Sequence, residues 1–329
     1  MRALVTIEGG KAEIQKVPVP QPLPGHALIK VNATAQSNDL NGIALAKPGV
    51  VCGDDFAGTV VDPNGTSLRK GQRVAGFVMG SDTNPPRGTF AQYAMVHPDY
   101  IFAVPDSVSD TAAASISLSL ATATVSLNWL ELPNATDPVD EPFPIFIYGA
   151  SSSVGLFAVQ LAKMANLFVI ATASKRNHDL VRGYGADVVI DYRDVDWVEQ
   201  VQRAANQKLR HVFDTISTYE TTKAAVRTLS PAGGHIVCIM ARTAEEIGLP
   251  PGVNLNVALC YSVFGENLRT KDDVTTWKKY LKHLPAWLES KALIPNPLWE
   301  FGGLDDILEG LAVQQKGGVS GQKIVYSIV

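Results

Sequence analysis

The sequence predicts an α/β chain in two parts: a β-rich, antiparallel, barrel-like domain, then a doubly wound parallel sheet. Three observations predict it. Short strand candidates separated by Pro, Gly and Asn fill the first hundred residues. From about residue 143 the pattern changes to strands alternating with helices. At the head of that second part stands Phe146-Ile147-Tyr148-Gly149-Ala150-Ser151-Ser152-Ser153-Val154-Gly155, an apolar strand, a turn of Gly and small hydroxyl residues, and the start of an amphipathic helix.

Taken in order, Ala3 to Ile7, Ala27 to Ala33, Ala57 to Val61 and Arg73 to Val78 read as strands. Turn signals such as Pro18 to Gly25 and Asp62-Pro63-Asn64-Gly65 divide them. Ile116, Leu120, Ala123, Leu127 and Leu130 fall at helical spacing, which predicts a helix over 115–130. Further strands are expected at 145–149, 167–172, 187–190, 210–214 and 234–239, with helices between. Val274, Trp277, Tyr280, Leu281, Leu284 and Leu288 form an apolar stripe, read as core rather than as a binding face. A helix over 304–316 and a strand over 323–328 close the chain, and that strand is expected to return to the first domain. The expected division is 1–115 with 270–329 as one domain and 116–269 as the other.

Composition bounds the function. The chain has 329 residues, enough for two sizeable cores, and 18% charged residues, which suits a globular protein. A net charge of −4 gives no broad electrostatic footprint for nucleic acid. The longest uncharged stretch, Thr111 to Leu130, is rich in Ser and Thr and too polar to span a membrane. Cys52, Cys238 and Cys260 lie far apart and form no disulfide framework, and no signal-peptide layout opens the chain. A cytoplasmic location is expected.

The Gly/Ser turn suits a pyrophosphate. Such a ligand needs backbone N–H donors, close approach and a helix N-terminus. Gly149 and Gly155 allow the tight turn and a close helix–strand contact, while Ser151, Ser152 and Ser153 add hydroxyls. The pattern is G-A-S-S-S-V-G, not G-x-G-x-x-G, so the turn by itself also suits a purely structural role. The following strand, 167–173, ends in Ser174-Lys175-Arg176, where NAD sites carry an acid for the ribose 2′-hydroxyl. A hydroxyl and two cations suit a 2′-phosphate instead. NADPH is the expected cofactor.

The order of these parts resembles the medium-chain dehydrogenase/reductase superfamily, and within it the fungal trans-acting enoyl reductases that work beside polyketide synthases. The segments that carry the resemblance include Gly53-Asp54-Asp55-Phe56-Ala57-Gly58, Gly88 to Tyr93, Thr122-Ala123, Gly149 to Lys163, Gly185 to Tyr192, Phe213 to Ser217, Val263-Phe264-Gly265-Glu266, and Val319 to Lys323. The resemblance implies an N-terminal GroES-like catalytic domain, a Rossmann domain, and NADPH in the cleft between them. It implies that Ser151, Ser152, Ser153 and Val154 contact the pyrophosphate. Ser174, Asn177 and Tyr192 would surround the 2′-phosphate, and the strand-end reading adds Lys175. Phe264 and Gly265 would border the nicotinamide, with Thr122 near its ring.

Zinc relatives need several Cys, His and acidic ligands. Here Gly53-Asp54-Asp55 stands where they carry G-H-E, and the cysteines are too few for a four-Cys site. No metal is expected. Without one, hydride addition to a C=C bond conjugated to a carbonyl is easier to organise than carbonyl reduction. Asp39, Asn41 and Tyr93 are the candidate residues around the substrate. The substrate would be a small molecule or a carrier-bound enoyl chain, with a polyketide synthase as partner. Lys47, Arg69, Lys70 and Arg87 are available for an acidic carrier.

One segment departs from the family. The fungal relatives commonly carry N-P-x-D-W-K, and this chain has Gln36-Ser37-Asn38-Asp39-Leu40-Asn41. The aspartate stays; the Pro, Trp and Lys places change. Two further readings therefore remain: a quinone or small-enone reductase, and a non-redox cyclase or isomerase on the same fold. His97, His26 and His283 read as surface residues, and Asp54-Asp55 as a turn leading into a strand.

Overall fold

The structure is a computed structural model that describes residues 1–37, 39–80, 88–265 and 271–328; the side chains at 40, 41 and 271 are left out of the description. The chain forms two compact units, Met1–Leu118 with Lys278–Val329, and Ser119–Trp277.

The elements run β1 (Arg2–Ile7), β2 (Lys11–Lys16), β3 (Ala27–Ala35), α1 (Asp39–Leu45), β4 (Asp55–Asp62), β5 (Arg73–Phe77), β6 (Tyr93–Val96), β7 (Ile101–Ala103), α2 (Asp110–Ala114) and α3 (Ser117–Trp129). Then follow β8 (Pro144–Tyr148), α4 (Ser153–Met164), β9 (Phe168–Thr172), α5 (His178–Gly183), β10 (Val188–Ile190), α6 (Trp197–Ala204), β11 (His211–Asp214), α7 (Tyr219–Val226), β12 (Gly234–Cys238), α8 (Ala244–Ile247) and β13 (Val253–Val257). The chain closes with α9 (Lys271–Glu289), β14 (Leu298–Gly302), α10 (Ile307–Gln315) and β15 (Lys323–Ser327).

In the first unit a seven-stranded sheet runs β14-β15-β3-β4-β5-β7, with β6 also paired to β3. Its pairs are antiparallel except β14 with β15. The final strand β15 lies beside β3, with Val325 opposite Ala35. The core gathers Leu4, Ile29, Val31, Phe56, Phe90 and Tyr326, all fully buried. Removing each such side chain from water is worth about 1.5–3 kcal/mol. β2 was not signalled by hydrophobic pattern, because Lys11-Ala12-Glu13-Ile14-Gln15-Lys16 is mostly polar; its pairing with β1 forms it.

In the second unit a six-stranded sheet has the order β10-β9-β8-β11-β12-β13. Every neighbouring pair is parallel. Numbered from β8, this is the 3-2-1-4-5-6 order of a dinucleotide-binding sheet, whose direction reverses between β8 and β11. The central strands read as apolar runs because both faces are covered. Ile145, Phe146, Ile147, Val212 and Phe213 are fully buried. In α9 the stripe expected to be core is buried at Trp277, Tyr280, Leu281, Leu284 and Leu288.

Candidate functional sites

In the second unit, β8 delivers the chain into a turn that needs glycine twice. Gly149 has φ +73°, and a Cβ there would stand 2.5 Å from the Ile216 side chain and 2.9 Å from Thr215 Oγ1. A Cβ on Gly155 would stand 2.6 Å from Ala150 Cα. The first glycine therefore permits the turn, and the second lets α4 approach the strand.

Ser152 caps α4. Its Oγ accepts from Gly155 N at 3.0 Å and lies 2.8 Å from Thr215 Oγ1. This cap holds the turn in place. Ser151, Ser153 and Val154 are half-buried. The first-turn N–H groups of Ser153 and Val154 have no acceptor within their helix, as in any α-helix start. With the positive end of a twelve-residue helix behind them, they can hold a phosphate oxygen.

Thr215 carries no motif of its own, yet it organises this end of the sheet. Its Oγ1 lies 2.9 Å from both Tyr148 O and Gly149 O. Beside it, the buried Asp214 carboxylate accepts from Ile216 N, Ser217 N, Thr221 Oγ1 and Thr222 Oγ1 at 2.8–3.0 Å. That network holds Ser217 at φ +59°.

The end of β9 forms a second cluster. Asn177 Nδ2 donates to Ser174 Oγ at 3.3 Å, leaving the serine proton available. Tyr192 is part-exposed, rests 6.2 Å from the Tyr148 ring, and carries the Arg193 guanidinium 5.3 Å over its face. Lys175 and Arg176 are exposed. The fold also brings an acid that the strand end does not show: Asp191 accepts from Lys175 N at 3.2 Å and from Arg193 N at 3.0 Å. Together the Gly149 turn and this strand end offer amide, hydroxyl and cationic groups of the kind that can hold a phosphate.

Phe264, buried, ends a 3₁₀ turn over Cys260–Phe264, and Gly265 leaves it at φ +76°. Thr122 is buried within α3. A buried acid, Asp273, accepts from Asn128 Nδ2, Trp129 Nε1 and Ser262 Oγ at 2.7–3.2 Å, tying α3, the 3₁₀ turn and α9 together.

The first unit holds a buried ionic cluster. Asp39 Oδ2 accepts from Ser37 N at 2.6 Å. Lys323 Nζ donates to Ser37 Oγ at 2.9 Å and stands 3.2 Å from Asp55 Oδ2. Asp55 also accepts from Ser37 Oγ at 3.3 Å and from Leu118 N at 2.8 Å. Asp39, Asp55 and Lys323 are 5%, 0% and 4% exposed, while Ser37 is only half-buried. Burial pushes the Asp39 carboxyl up to about 6; the Ser37 amide and the Lys323 charge pull against it, and the Asp55 charge adds to it. Burial raises Asp55 as well, opposed first by Lys323. Gln36 lies deeper, accepting from Tyr326 Oη at 2.5 Å.

Asp39 is thus joined to Ser37, Lys323 and Asp55. Tyr93 lies on β6 opposite Lys30, and among the described residues no hydrogen bond joins it to that cluster. The Asn41 side chain lies outside the description, as does Arg87. Asp54 accepts from Gly80 N at 2.7 Å, and Asp55 opens β4. His97 caps a 3₁₀ turn through Asp99 N and stacks edge-on with His26 at 5.1 Å. Among the described residues, no three His, Cys, Asp or Glu side chains converge as metal ligands.

Comparison with known proteins decides the family. Residues 23–106 match the alcohol dehydrogenase GroES-like domain, and residues 153–284 match the zinc-binding dehydrogenase domain. A trans-enoyl reductase of Penicillium crustosum is 33% identical over 99% of this chain and 96% of its own length. A trans-enoyl reductase of Pyricularia oryzae is 31% identical over 98% of this chain and 96% of its own. The chain belongs to the trans-enoyl reductase family of the medium-chain dehydrogenase/reductases. Solved structures of the superfamily share its fold. The CurK enoyl reductase aligns with a TM-score of 0.80 at 19% identity, over 100% of this chain and 99% of that one. An alcohol dehydrogenase superfamily protein of Novosphingobium aromaticivorans aligns with a TM-score of 0.82 at 23% identity, over the full length of both. The GroES-like match falls within the first unit.

Proposed function

We propose that this protein is an NADPH-dependent enoyl reductase of polyketide biosynthesis, acting in trans on a carrier-bound or small enoyl substrate in the cytoplasm. The observation that carries the reading is near-full-length similarity to trans-enoyl reductases at about 30% identity. When bound, NADPH supplies a hydride to the β-carbon of an α,β-unsaturated carbonyl compound. The chain's own residues bind and orient. Gly149 leaves the turn open, the Ser153 and Val154 amides take pyrophosphate oxygens, and Thr215 with Ser152 fixes that geometry. Ser174, Asn177, Lys175 and Tyr192 receive the 2′-phosphate, which favours NADPH over NADH. Phe264, Gly265 and Thr122 border the nicotinamide. Asp39, Asn41 and Tyr93 line the substrate side in this reading.

The lysine of the relatives' N-P-x-D-W-K segment is replaced by Asn41, which removes a cation able to hold a carrier phosphate or an enolate. That change keeps a small free substrate, an enone or quinone, as the second reading. Purified protein with NADPH is tested against enoyl thioesters, enones and quinones, following absorbance of the reduced nicotinamide, with NADH as control. Consumption with enoyl thioesters and preference for NADPH support the proposal. Turnover of quinones alone moves the assignment to the second reading. Tight NADPH binding without oxidation by any acceptor would falsify the redox assignment.

A further inference from the structure

A cavity of about 390 Å³ opens in the second unit among α7, α8 and the turns that lead into β12 and β13. Ser230 to Gly233 precede β12, and Pro250 and Pro251 precede β13. The cavity therefore lies at the N-terminal ends of these parallel strands. The Gly149 turn and Thr215 follow the C-terminal ends of β8 and β11, so the cavity is a place apart from the dinucleotide turn. Cavities of about 300–1,000 Å³ hold small ligands.

The inner lining is apolar: Val226, Leu229 and Ile247 form it, and all three are buried. The turns that wall it are stiff and closely packed. Pro231, Pro250 and Pro251 have fixed φ angles. A Cβ on Gly233 would stand 2.1 Å from Gly252 O, and Gly234 N donates to that same oxygen at 3.0 Å. Lys223 and Arg227 stand at the exposed side, and no Asp or Glu is among the described lining residues. Lys223 Nζ donates to Tyr219 Oη at 3.1 Å. Among the described residues no carboxylate pairs with either cation.

We infer that this cavity binds a small amphipathic carboxylate, its alkyl chain on Val226, Leu229 and Ile247 and its charged head on Arg227 and Lys223. A planar guanidinium holds a carboxylate through two parallel hydrogen bonds. The alkyl chain leaves water for apolar surface. The site uses residues of the second unit alone and none of the dinucleotide turn, so it stands whether or not the reductase reading holds.

The probe is octanoate, titrated by calorimetry into the full-length protein, with octanamide as the uncharged counterpart and acetate as the head alone. Octanoate should bind at one site per chain with a Kd of about 1 mM or tighter, equally with and without NADPH. Octanamide and acetate should each bind about tenfold more weakly or worse. Arg227→Ala removes an exposed side chain that has no ion pair to lose, and should weaken octanoate by about tenfold while leaving NADPH affinity unchanged. Lys223→Ala should weaken octanoate in the same direction and carries the test should Arg227→Ala not fold. Bound octanoate should slow amide hydrogen exchange in 229–234 and 247–253. Absence of saturable binding, equal affinity for octanamide, or unchanged affinity in both variants overturns the inference. Displacement of octanoate by NADPH would place it at the dinucleotide turn and overturn the inference as well.

Discussion

Asp39 carries a measurable cost at neutral pH. Its folded-state pKa, about 6, lies above the ordinary 3.8, so the folded protein holds a proton that the unfolded chain releases. Stability is full below the unfolded value and falls as pH rises through that window. Above about pH 6 the penalty is constant. Asp39→Asn should therefore raise the melting temperature at pH 8 and leave it nearly unchanged at pH 4. A rise of equal size at both pH values would show that ionisation is not the cause. His211 works in the opposite sense. Burial, with His235 and Arg210 nearby, pushes it from 6.5 down to about 4. Its neutral form is favoured in the fold, so stability is lost as pH falls from about 6.5 to 4. His211→Phe should flatten that part of a stability–pH curve. Cys238, buried beside Thr222, is pushed up to about 11 and should resist alkylation at pH 8 in the native protein.

At the scale of elements, the β8–α4 turn rests on capping and close approach more than on its serines as ligands. Ser152→Ala removes the cap of α4 and should cost about 1 kcal/mol of stability, read by denaturant melts. Gly155→Val places atoms where Ala150 stands and should abolish NADPH binding, read by quenching of intrinsic fluorescence. In the proposed function, the exposed Lys175 and Arg176 select NADPH over NADH. Replacing both with Ala should weaken NADPH at least tenfold, a loss of about 1.4 kcal/mol, while changing NADH affinity little. Equal loss for both cofactors would move the 2′-phosphate elsewhere. The strand–helix alternation from residue 143 was legible because buried parallel strands are continuous apolar runs. α1 and β14 were not, since Asp39 to Leu45 and Leu298 to Gly302 mix polar and apolar residues without a clean period. β13 is an alternating strand, Val253-Asn254-Leu255-Asn256-Val257, at the sheet edge, and its short period sits among loop signals.

For the whole molecule, the family sets the expected chemistry and the chain's departures set where it differs. No described helix is long and apolar enough to cross a membrane. In the proposed function, incubation with a chelator followed by gel filtration should leave NADPH oxidation unchanged, because Gly53-Asp54-Asp55 stands where zinc relatives carry G-H-E. Loss of activity restored by zinc would contradict that.

By itself the sequence determined the fold class, the parallel-sheet half, the Gly149–Gly155 turn and the cationic end of β9. These are local patterns, fixed by residues close in the chain and by backbone rules that hold wherever they occur. Tertiary structure decided the rest. Ser37 and Lys323 meet across 286 positions, and β15 brings Lys323 there by pairing with β3. Asp55 reads as a turn residue in sequence and becomes the anchor of a buried ion pair. Thr215 braces the Gly149 turn from the end of β11, and Asp191 holds the end of β9 from beyond β10. Burial and long-range proximity change what a carboxylate or hydroxyl does, and neither is written in the spacing of nearby residues.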